Sequence, residues 1–574
     1  MSNLEHRWDL SALFKNKKEV QSFLPKLLKE AQAFEKKYKG KIDKDFLSAL
    51  EEYERLLEQV GRVMTYSFLC FASDTTEGDF YGQCEMECTA LQSHLLFFEL
   101  EFCELDARSQ KRLLKDSGKY QYFLGQLLDK KQYQLSLPEE KVLLQTAPVG
   151  SDAFARLFDE FFSTLKIPYK EERKSEEEIL ALLHHSDREV RKEAQKSFSK
   201  KLKQSRLLLS YILNMIRKDL QIQTRLRGYP NKESFRHISN HISQKSVDSL
   251  VNVVNENMPL VHRYYNHKSK LLGHKLKDYD RYAPLVRKDA PSSQVSYEEG
   301  LEMVLECFRG FSPLFYDIAS EAIKKGWVDS HPRDAKRGGA FSHGAVPSAH
   351  PYVLLNFTSS RRDVFTIAHE FGHMVHQELS KKQGYLNQDT PLTTAETASV
   401  FAEMLLFDSL KKNLAKEELL EIYASKLEDI FSTLFRQIVM TNFERAIHAS
   451  EGELKPEEFD RIWLEENQKM FGGSVKLTRR YAMWWSYIPH FVHSPFYCYA
   501  YSYGQLLVLA LFGLYKQGKA KDFIKTYIEF LSAGGSKSPR ELVGAFGFDI
   551  EDSAFWEIGM QEVRKMLREF EELL

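Results

Sequence analysis

Apolar residues recur at three- and four-residue spacing along most of this chain. The spacing is clear from Lys17 to about Gly125, where one stretch contains Leu47, Leu50, Tyr53, Leu56 and Leu57. One face of an α-helix repeats with this period, whereas one face of a strand repeats every second residue. The chain has 574 residues, and single hydrophobic cores stop growing at about 250 to 300 residues. The sequence therefore predicts a mostly α-helical protein with more than one lobe.

Cap and turn residues divide this helical pattern. Ser186-Asp187 resembles the N-terminal cap of a helical block that runs to about Thr224, and Arg227-Gly228-Tyr229-Pro230 predicts the end of this block. Val247 to Leu271 is helical again. Only the stretch between Asp329 and Phe357 resembles sheet and loop, so we expect one small β-sheet there.

Charge and apolar content exclude several partner classes. Lysine and arginine total 80 against 81 acidic residues, a net charge of -1, which predicts no nucleic-acid or anionic-membrane partner. The apolar runs Gln505 to Leu514 and Leu207 to Leu213 are too short to cross a bilayer and are interpreted as buried helix faces.

The compartment is predicted from the N-terminus and the cysteines. Residues 1 to 8 contain no basic segment followed by an apolar run, so no secretory signal is visible. Six cysteines in so long a chain form no disulfide framework, and Cys84 and Cys88 are interpreted as small buried residues. We therefore expect a cytoplasmic protein.

His369-Glu370-Phe371-Gly372-His373 matches the pattern H-E-x-x-H. Two histidines four residues apart project from one face of a helix and can bind one metal ion together. The glutamate beside the first histidine is placed to accept a proton from water activated by that ion. His237 and His241 have the same spacing without the glutamate, and we assign them to a polar helix surface.

The flanking residues predict that this motif lies on a helix. Ser360 and Asp363 resemble a capping box, with aspartate replacing the usual glutamate. A buried stripe follows at helical spacing, and Gln383-Gly384 marks the end of the helix. The stripe consists of Val364, Ile367, Phe371, Val375 and Leu379. His369 and His373 lie off this stripe, which favours metal ligands over core histidines.

A catalytic zinc ion takes three protein ligands and leaves one position for water. Glu396 follows the motif at the predicted start of the next helix and is the first candidate for the third ligand, although it could instead close a capping box with Thr393. Glu403, two turns further along the same face, is its chief rival, followed by Glu378 and Asp389. If Glu396 is the ligand, Glu403 is placed to orient a ligand histidine.

Histidines and tyrosines are concentrated between His490 and Gly504, where Tyr497, Tyr499, Tyr501 and Tyr503 fall within seven positions. Either side chain can donate a hydrogen bond to the oxyanion that forms when a peptide carbonyl is attacked. We favour His490 and Tyr497 for this role, followed by Tyr501, Tyr503 and His493. Isolated tyrosines are usually core or rim residues, but this density favours a functional role.

The segment before the motif helix is a candidate for binding extended peptides. Pro351 to Phe357 is predicted to form an edge strand with which a substrate could pair through backbone hydrogen bonds. Gly338-Gly339 would allow a loop to approach the substrate closely, although a plain surface turn is equally consistent with it.

Taken together, these residues resemble the oligoendopeptidase F family, a bacterial branch of the thimet oligopeptidase-like zinc peptidases. The resemblance covers nearly the whole chain. It is carried by Arg7-Trp8-Asp9-Leu10, Tyr279-Asp280 with Ala283-Pro284, the loop Arg337 to Phe341, His369 to His373, Glu396-Thr397-Ala398-Ser399, and Pro489-His490-Phe491 with the tyrosines.

The resemblance implies a mostly α-helical fold with a gluzincin-like catalytic core and two lobes facing each other across a deep channel. We place the N-terminal helical lobe at residues 1–200 and the catalytic metallopeptidase region at residues 201–574. The implied zinc ligands of one bound ion are His369, His373 and Glu396, and Glu370 is the implied general base. The C-terminal candidates for transition-state stabilisation are His490, Tyr497 and Tyr501.

The predicted activity is zinc-dependent hydrolysis of internal bonds in short, unfolded oligopeptides by a protein that is expected to be monomeric. The alternatives are a related zinc carboxypeptidase or dipeptidyl carboxypeptidase, because H-E-x-x-H does not determine where a peptide is cut. A helical peptide-binding protein without catalysis is the alternative from another class. Nitrogen and oxygen ligands of this kind also accept cobalt or manganese.

Overall fold

The computed structural model of the protein describes residues 7–285, 294–411, 414–518 and 521–574, so most of the N-terminal stretch inspected for a signal lies outside it. Helices make up most of the described residues, which confirms the predicted class. The helices of the first half are α1 (Lys17–Tyr38), α2 (Phe46–Ser73), α3 (Gly78–Ser93), α4 (Phe97–Glu104), α5 (Ala107–Asp116), α6 (Gln121–Lys131), α7 (Leu137–Thr146), α8 (Ser151–Ser163), α9 (Glu176–Ala181), α10 (Arg188–Gln204), α11 (Arg206–Arg227), α12 (Ser234–Ser239), α13 (Gln244–Glu256) and α14 (Pro259–Leu271). Those of the second half are α15 (Tyr297–Phe311), α16 (Pro313–Lys324), α17 (Arg361–Ser380), α18 (Leu392–Ala395), α19 (Thr397–Leu410), α20 (Lys416–Ile430), α21 (Gln437–Ala449), α22 (Pro456–Phe471), α23 (His490–His493), α24 (Cys498–Gln517), α25 (Phe523–Ser532), α26 (Pro539–Gly544) and α27 (Ser553–Glu572).

The predicted cap and turn residues lie at helix ends. The Asp187 side chain accepts a hydrogen bond from the Glu189 N–H at 2.9 Å, which caps the start of α10. Helix α11 ends at Arg227, and Gly228 follows with a φ of +70°, a conformation that glycine adopts without steric cost. Both predicted helix ends are confirmed.

The strands are short and fall into three sheets. They are β1 (Ile167–Tyr169), β2 (Glu172–Lys174), β3 (Leu276–Lys277), β4 (Val328–Asp329), β5 (Phe341–His343), β6 (Tyr352–Leu354) and β7 (Val475–Lys476). The sheet predicted before the motif helix has the order β4-β6-β5, with β4 parallel and β5 antiparallel to β6. The expectation that this region alone forms sheet is wrong, because β1–β2 and β3–β7 also pair. Strands of two or three residues are too short to show alternation in the sequence.

The chain divides into two compact units, and each unit consists of three segments. The first unit contains Met1–Gln132, Ser292–Asn413 and Gly518–Gly547, and the second contains Tyr133–Pro291, Leu414–Gln517 and Phe548–Leu574. These units do not follow one another along the chain. The division at a single point after residue 200 stays a sequence prediction.

The core of the first unit supports the H-E-x-x-H helix. Aromatic residues of α1, α2 and α4 pack together, as in the stacked Tyr53 and Phe98 rings, whose centroids are 4.6 Å apart. Cys84 and Cys88 are buried in this core, as predicted. The same core includes Tyr352 and Leu354 of β6, and α17 packs against both β5 and β6. The sheet therefore joins α17 to the rest of the unit.

The core of the second unit contains the base of the histidine- and tyrosine-rich segment. Trp463, Trp484 and Trp485 are buried together with Phe491 and Cys498. This packing anchors both ends of the segment that carries His490 and Tyr497.

Helix α24 is the one helix of the described residues whose length and composition would suit a membrane span. Most of it is buried, including Gln505 to Leu514 throughout, and its main neighbour is α27. Burial in the core of the second unit accounts for its apolar composition. The other apolar run is buried only in part, because Leu207 is 79% exposed.

Candidate metal centre

Helix α17 begins where the sequence predicts. The Ser360 hydroxyl accepts a hydrogen bond from the Asp363 N–H at 3.2 Å, and the Asp363 carboxylate accepts one from the Ser360 N–H at 3.0 Å. Burial would raise the pKa of Asp363, but these hydrogen bonds and those from Thr358 lower it. Aspartate therefore performs the role of the usual glutamate, and the reciprocal cap sets the start of the helix.

The apolar stripe of α17 is buried at Val364, Ile367, Phe371 and Val375, while Leu379 is only partly buried. Helix α19 passes directly behind the motif at Gly372. A Cβ atom at this position would lie 2.5 Å from the carbonyl oxygen of Ala398. The close approach of the two helices therefore requires glycine.

Glu396 lies at the junction between α18 and α19 rather than in the first turn of one helix. His376 of α17 is buried, and burial lowers its pKa to about 3 although the backbone of Ala395 opposes this shift. The Tyr527 hydroxyl of α25 donates to the Thr397 carbonyl at 2.8 Å. A buried hydrogen bond thus holds the backbone of the residue next to Glu396 in place.

Three side-chain donors converge at this point. The Nε2 atoms of His369 and His373 each lie 3.4 Å from Oε2 of Glu396. One donor atom from each of these residues lies within 4.8 Å of the others, so the group could hold a metal ion. Zinc–nitrogen and zinc–oxygen bonds of about 2.0–2.2 Å require donors at roughly these separations. The donor set therefore fits a three-ligand zinc site.

Further groups orient two of the three donors. Nδ1 of His369 lies 2.6 Å from Oε1 of Glu403, an interaction that directs the other ring nitrogen, Nε2, towards Glu396. The Ser399 hydroxyl donates to Oε2 of Glu396 at 2.7 Å. Of the two leading candidates from the sequence, Glu396 faces both histidines, whereas Glu403 contacts the far side of one ring.

The electrostatic environment favours a bound cation. Burial opposes a charge on His369, but the hydrogen bond to Glu403 and the charges of three glutamates outweigh it and raise the pKa of His369 to about 9. Burial would likewise raise the pKa of Glu396, yet its interactions with His373 and His369 lower it to about 2. The carboxylates outnumber the imidazoles, so the local field favours positive charge at this point.

Glu370 is buried beside the donor group. Only 6% of Glu370 is exposed, and this burial raises the pKa of its carboxyl, although the charges of His369 and His373 act to lower it. A raised pKa moves a carboxylate towards the range in which it accepts and returns protons near neutral pH.

The expectation that Pro351 to Phe357 forms an edge strand is wrong. Strand β6 is the central strand, and all three of its residues are buried. The Val353 N–H of β6 donates to the Trp327 carbonyl beside β4, so the backbone polar groups of Val353 point away from β5. Ser342 of β5 lies opposite Val353, and its own N–H and C=O therefore point away from β6. The edge next to α17 therefore belongs to β5.

Gln377 of α17 joins that edge to the helix. Its Nε2 donates to the Ser342 carbonyl at 3.0 Å, and the Ser342 hydroxyl donates to its Oε1 at 2.6 Å. Sequence reasoning assigned no role to Gln377 or His376. Their positions one turn beyond His373 were the only available signal, because helical spacing places them close to the motif.

The histidine and tyrosine candidates lie in the second unit, where three of them form one group and the other two lie apart from it. Nε2 of His490 lies 3.0 Å from the Tyr501 hydroxyl, and the His490 ring stacks against Tyr497 with 5.9 Å between centroids. Tyr503 is fully buried and its hydroxyl lies 2.9 Å from that of Ser246. His493 lies 2.7 Å from Asp159. The structure therefore groups His490, Tyr497 and Tyr501, while Tyr503 belongs to the core.

The second histidine pair has a structural role. His237 is buried, and its two ring nitrogens lie within hydrogen-bond distance of Tyr499 and Gln244. Helix α12 ends at Ser239, so His241 lies beyond it. The interpretation as a polar helix surface is wrong for His237, because Tyr499, which is distant in sequence, packs against it and the residue is buried.

Comparison with known proteins assigns the chain to a family of peptidases. The model of peptidase family M3 matches residues 181–562, and the model of oligopeptidase F matches residues 101–167. Oligopeptidase PepF of Bacillus subtilis is 32% identical over 94% of this chain and 83% of its own length. An oligoendopeptidase F homolog of Borreliella burgdorferi is 29% identical over 99% of both chains.

Solved structures share the fold. The crystal structure described as that of a peptidase from Chlamydophila abortus covers 99% of this chain and 98% of its own, with 25% identity and a TM-score of 0.90. Oligoendopeptidase-F from Enterococcus faecium covers 96% of this chain and 99% of its own, with 24% identity and a TM-score of 0.72. The chain therefore belongs to peptidase family M3 and, within it, to the oligoendopeptidase F group.

Proposed function

We propose that this chain is a zinc-dependent endopeptidase that hydrolyses internal bonds of short, unfolded oligopeptides. The observation that carries the proposal is the convergence of His369, His373 and Glu396 within 4.8 Å, next to the buried Glu370. A bound zinc ion would supply Lewis acidity towards the peptide carbonyl and the attacking water. Membership of a peptidase family supports the same chemistry.

The protein's own groups would move the protons. Glu370 accepts a proton from the attacking water and returns it to the nitrogen of the leaving amine. The hydrogen bond to Glu403 keeps His369 in the tautomer whose Nε2 is free to bind the metal. His490, Tyr497 and Tyr501 stay the predicted donors to the oxyanion.

Strand β5 is the proposed backbone partner of the peptide. An extended peptide added to its outer edge would accept a hydrogen bond from the Ser342 N–H, while the Ser342 carbonyl is already bonded to Gln377. Main-chain pairing of this kind depends little on side chains, so we expect tolerance of many sequences.

The proposal includes a monomeric cytoplasmic enzyme with oligopeptide substrates and neither nucleic-acid nor membrane partners. It is supported by the balanced charge and by the free state of all six cysteines. Analytical ultracentrifugation at micromolar concentration would measure the oligomeric state directly.

The test is cleavage of an internally quenched peptide of about ten residues, blocked at both ends, beside a compact folded protein. Only an endopeptidase cleaves the blocked peptide well, because carboxypeptidases and dipeptidyl carboxypeptidases require a free C-terminus. We expect cleavage of the peptide alone, loss of cleavage with a chelator, and recovery with added zinc. Stoichiometric zinc binding without cleavage would contradict the proposal and favour an exopeptidase or a peptide-binding protein.

A further inference from the structure

Arg436 ends an irregular turn in the second unit. Between α20 and α21, residues Phe431–Arg436 form a π-helical stretch. Such wide turns are rare, and they occur preferentially at functional sites. Phe431, Leu434 and Phe435 of this stretch are buried, whereas Arg436 remains partly exposed. The turn therefore leaves one charged side chain accessible at the border of an apolar core.

The guanidinium of Arg436 is incompletely paired. Its Nη2 donates to the Tyr487 hydroxyl at 3.1 Å, and its buried Nε has no hydrogen-bond partner. Among the described residues, no carboxylate lies within 4.0 Å of it. A partly buried cation without an anionic partner is costly, so the site favours a ligand that supplies negative charge.

The ionisable groups that act most on Arg436 are three tyrosines, Tyr282, Tyr481 and Tyr487, which raise its pKa, and a second cation, Arg281, which opposes them. Arg281 is buried and donates to the Tyr481 hydroxyl at 2.9 Å. Phenolic hydroxyls donate and accept hydrogen bonds but carry no charge at neutral pH.

The acidic group that acts on Tyr282 is already paired. Glu428 lies 2.6 Å from the Nζ atom of Lys268, which is itself fully buried. The negative charge of Glu428 is therefore matched by Lys268, and the tyrosines around Arg436 stabilise its charge without neutralising it.

Arg436 also lies close to the group predicted to contact the reacting carbonyl. Burial, followed by the charge of Arg436, lowers the pKa of His490. Tyr487, the hydrogen-bond partner of Arg436, lies three residues before His490 at the end of the 3₁₀ helix Arg479–Tyr487. A peptide in contact with His490 would thus come within reach of Arg436.

We propose that Arg436 binds a carboxylate of the peptide substrate, with the Tyr487 hydroxyl as a second donor. The inference rests on the proposed peptidase function. A guanidinium presents parallel N–H groups that match the two oxygens of a carboxylate. That carboxylate is either the C-terminal α-carboxylate or an aspartate or glutamate side chain.

The test uses three kinds of quenched peptide of equal length. The first is a neutral peptide with a free C-terminus, and the second is its C-terminal amide. The third is a set of amides in which one aspartate is placed in turn at each residue after the cleaved bond. We expect the wild type to cleave one carboxylate-bearing peptide with a kcat/KM about tenfold above that of the neutral amide, as one charge-assisted hydrogen bond would give. If the peptide with the free C-terminus has the higher kcat/KM, the bound carboxylate is the C-terminal one. If an aspartate peptide has the higher kcat/KM, the bound carboxylate is that of a side chain.

Variants assign the effect to Arg436. Arg436→Gln should bring the ratio of the two kcat/KM values close to one, Arg436→Lys should retain part of it, and Tyr487→Phe should reduce it. The matched control is Arg461→Gln, which removes an exposed arginine paired with Glu465 in the same unit and should leave the ratio unchanged.

Two results would overturn the proposal. They are equal cleavage of all the peptides by the wild type, and an unchanged ratio of the kcat/KM values in Arg436→Gln, whether or not the activity itself falls. If Arg436→Gln does not fold, an unchanged ratio in both Arg436→Lys and Tyr487→Phe has the same meaning. Cleavage of the neutral amide by the wild type tests the peptidase function separately, so the two failures are distinguishable.

Discussion

The carboxyl group of Glu370 is surrounded by protein on most sides while two histidines lie beside it. We expect Glu370→Gln to retain zinc and to lower kcat by at least ~100-fold, because the amide has the size of the carboxyl but accepts no proton. The measurement is the turnover of a quenched peptide together with the zinc content of the purified variant.

A matched control for this change is Glu378→Gln, which alters a carboxyl on the same helix that pairs with Lys381. It should keep turnover within about twofold, because it lies two turns beyond the proposed base. Near-normal turnover of Glu370→Gln with full zinc content would remove Glu370 from the proposed mechanism.

Glu403 contacts His369 rather than the position that an ion would occupy. Glu403→Gln should weaken zinc binding by roughly 10- to 100-fold, because the amide no longer holds the imidazole with a charged acceptor. Competition with a fluorescent chelator measures this affinity. Asp408→Asn on the same helix, which alters a pair with Lys411, is the control, and equal affinities of the two variants would contradict the role of Glu403.

At the scale of the element, the contact between α17 and α19 decides the geometry of the site. Gly372→Ala would place a methyl group 2.5 Å from the Ala398 carbonyl. We expect this crowding to cost about 1–3 kcal/mol of unfolding free energy and to weaken zinc binding, because the helices that carry the ligands must separate. Denaturant unfolding and chelator competition measure the two effects.

Gly125→Ala provides the control within the same unit. Gly125 lies in α6, and a Cβ atom there meets nothing within 4 Å. The change should therefore be neutral or stabilise by up to ~1 kcal/mol, since alanine is the better helix former. If both variants behaved alike, the close helix contact would have no energetic consequence.

The small sheet shows how elements differ in predictability. The apolar run of β6 correctly predicted a strand, but it did not show whether the strand is at the edge or in the centre of the sheet. A central strand that is buried on both faces has the same apolar composition. The true edge, β5, has three half-buried residues and no distinctive pattern. Strand order depends on pairing with β4, which lies more than twenty residues earlier, and so it could not be inferred from local composition.

At the scale of the whole molecule, buried histidines couple stability to pH. His448 is 3% exposed, and neither ring nitrogen has a hydrogen-bond partner among the described residues. Burial, with the charges of Arg217 and Lys232, lowers its pKa to about 3. The unfolded chain takes up a proton below about pH 6.5, whereas the folded protein does not. The free energy of unfolding is therefore unaffected by this group above about pH 6.5, and it decreases as the pH falls towards 3.

His448→Leu should remove this dependence. At pH 7 we expect an unfolding free energy within about 1 kcal/mol of the wild type, because no hydrogen bond is lost. At pH 5 the variant should be more stable than the wild type by about 2 kcal/mol. Denaturant unfolding at both pH values measures the difference. If the unfolding free energies of His448→Leu and the wild type differed by the same amount at both pH values, the lowered pKa of His448 would be contradicted.

The sequence by itself determined the helical class, the limits of α17, the histidine pair and Glu370. These features depend on contacts between residues three or four apart, which helical periodicity and capping make visible. It also narrowed the third ligand to four carboxylates, of which Glu396 and Glu403, on one face of the following helix, were the leading candidates.

Only the tertiary structure shows that Glu396, and not Glu403, faces both histidines, because this depends on the close approach of α17 and α19, which Gly372 permits. It likewise separated Tyr497 and Tyr501 from the buried Tyr503, and it divided the chain into two discontinuous units. Such features arise from contacts between residues far apart in the chain, and local periodicity carries no information about them.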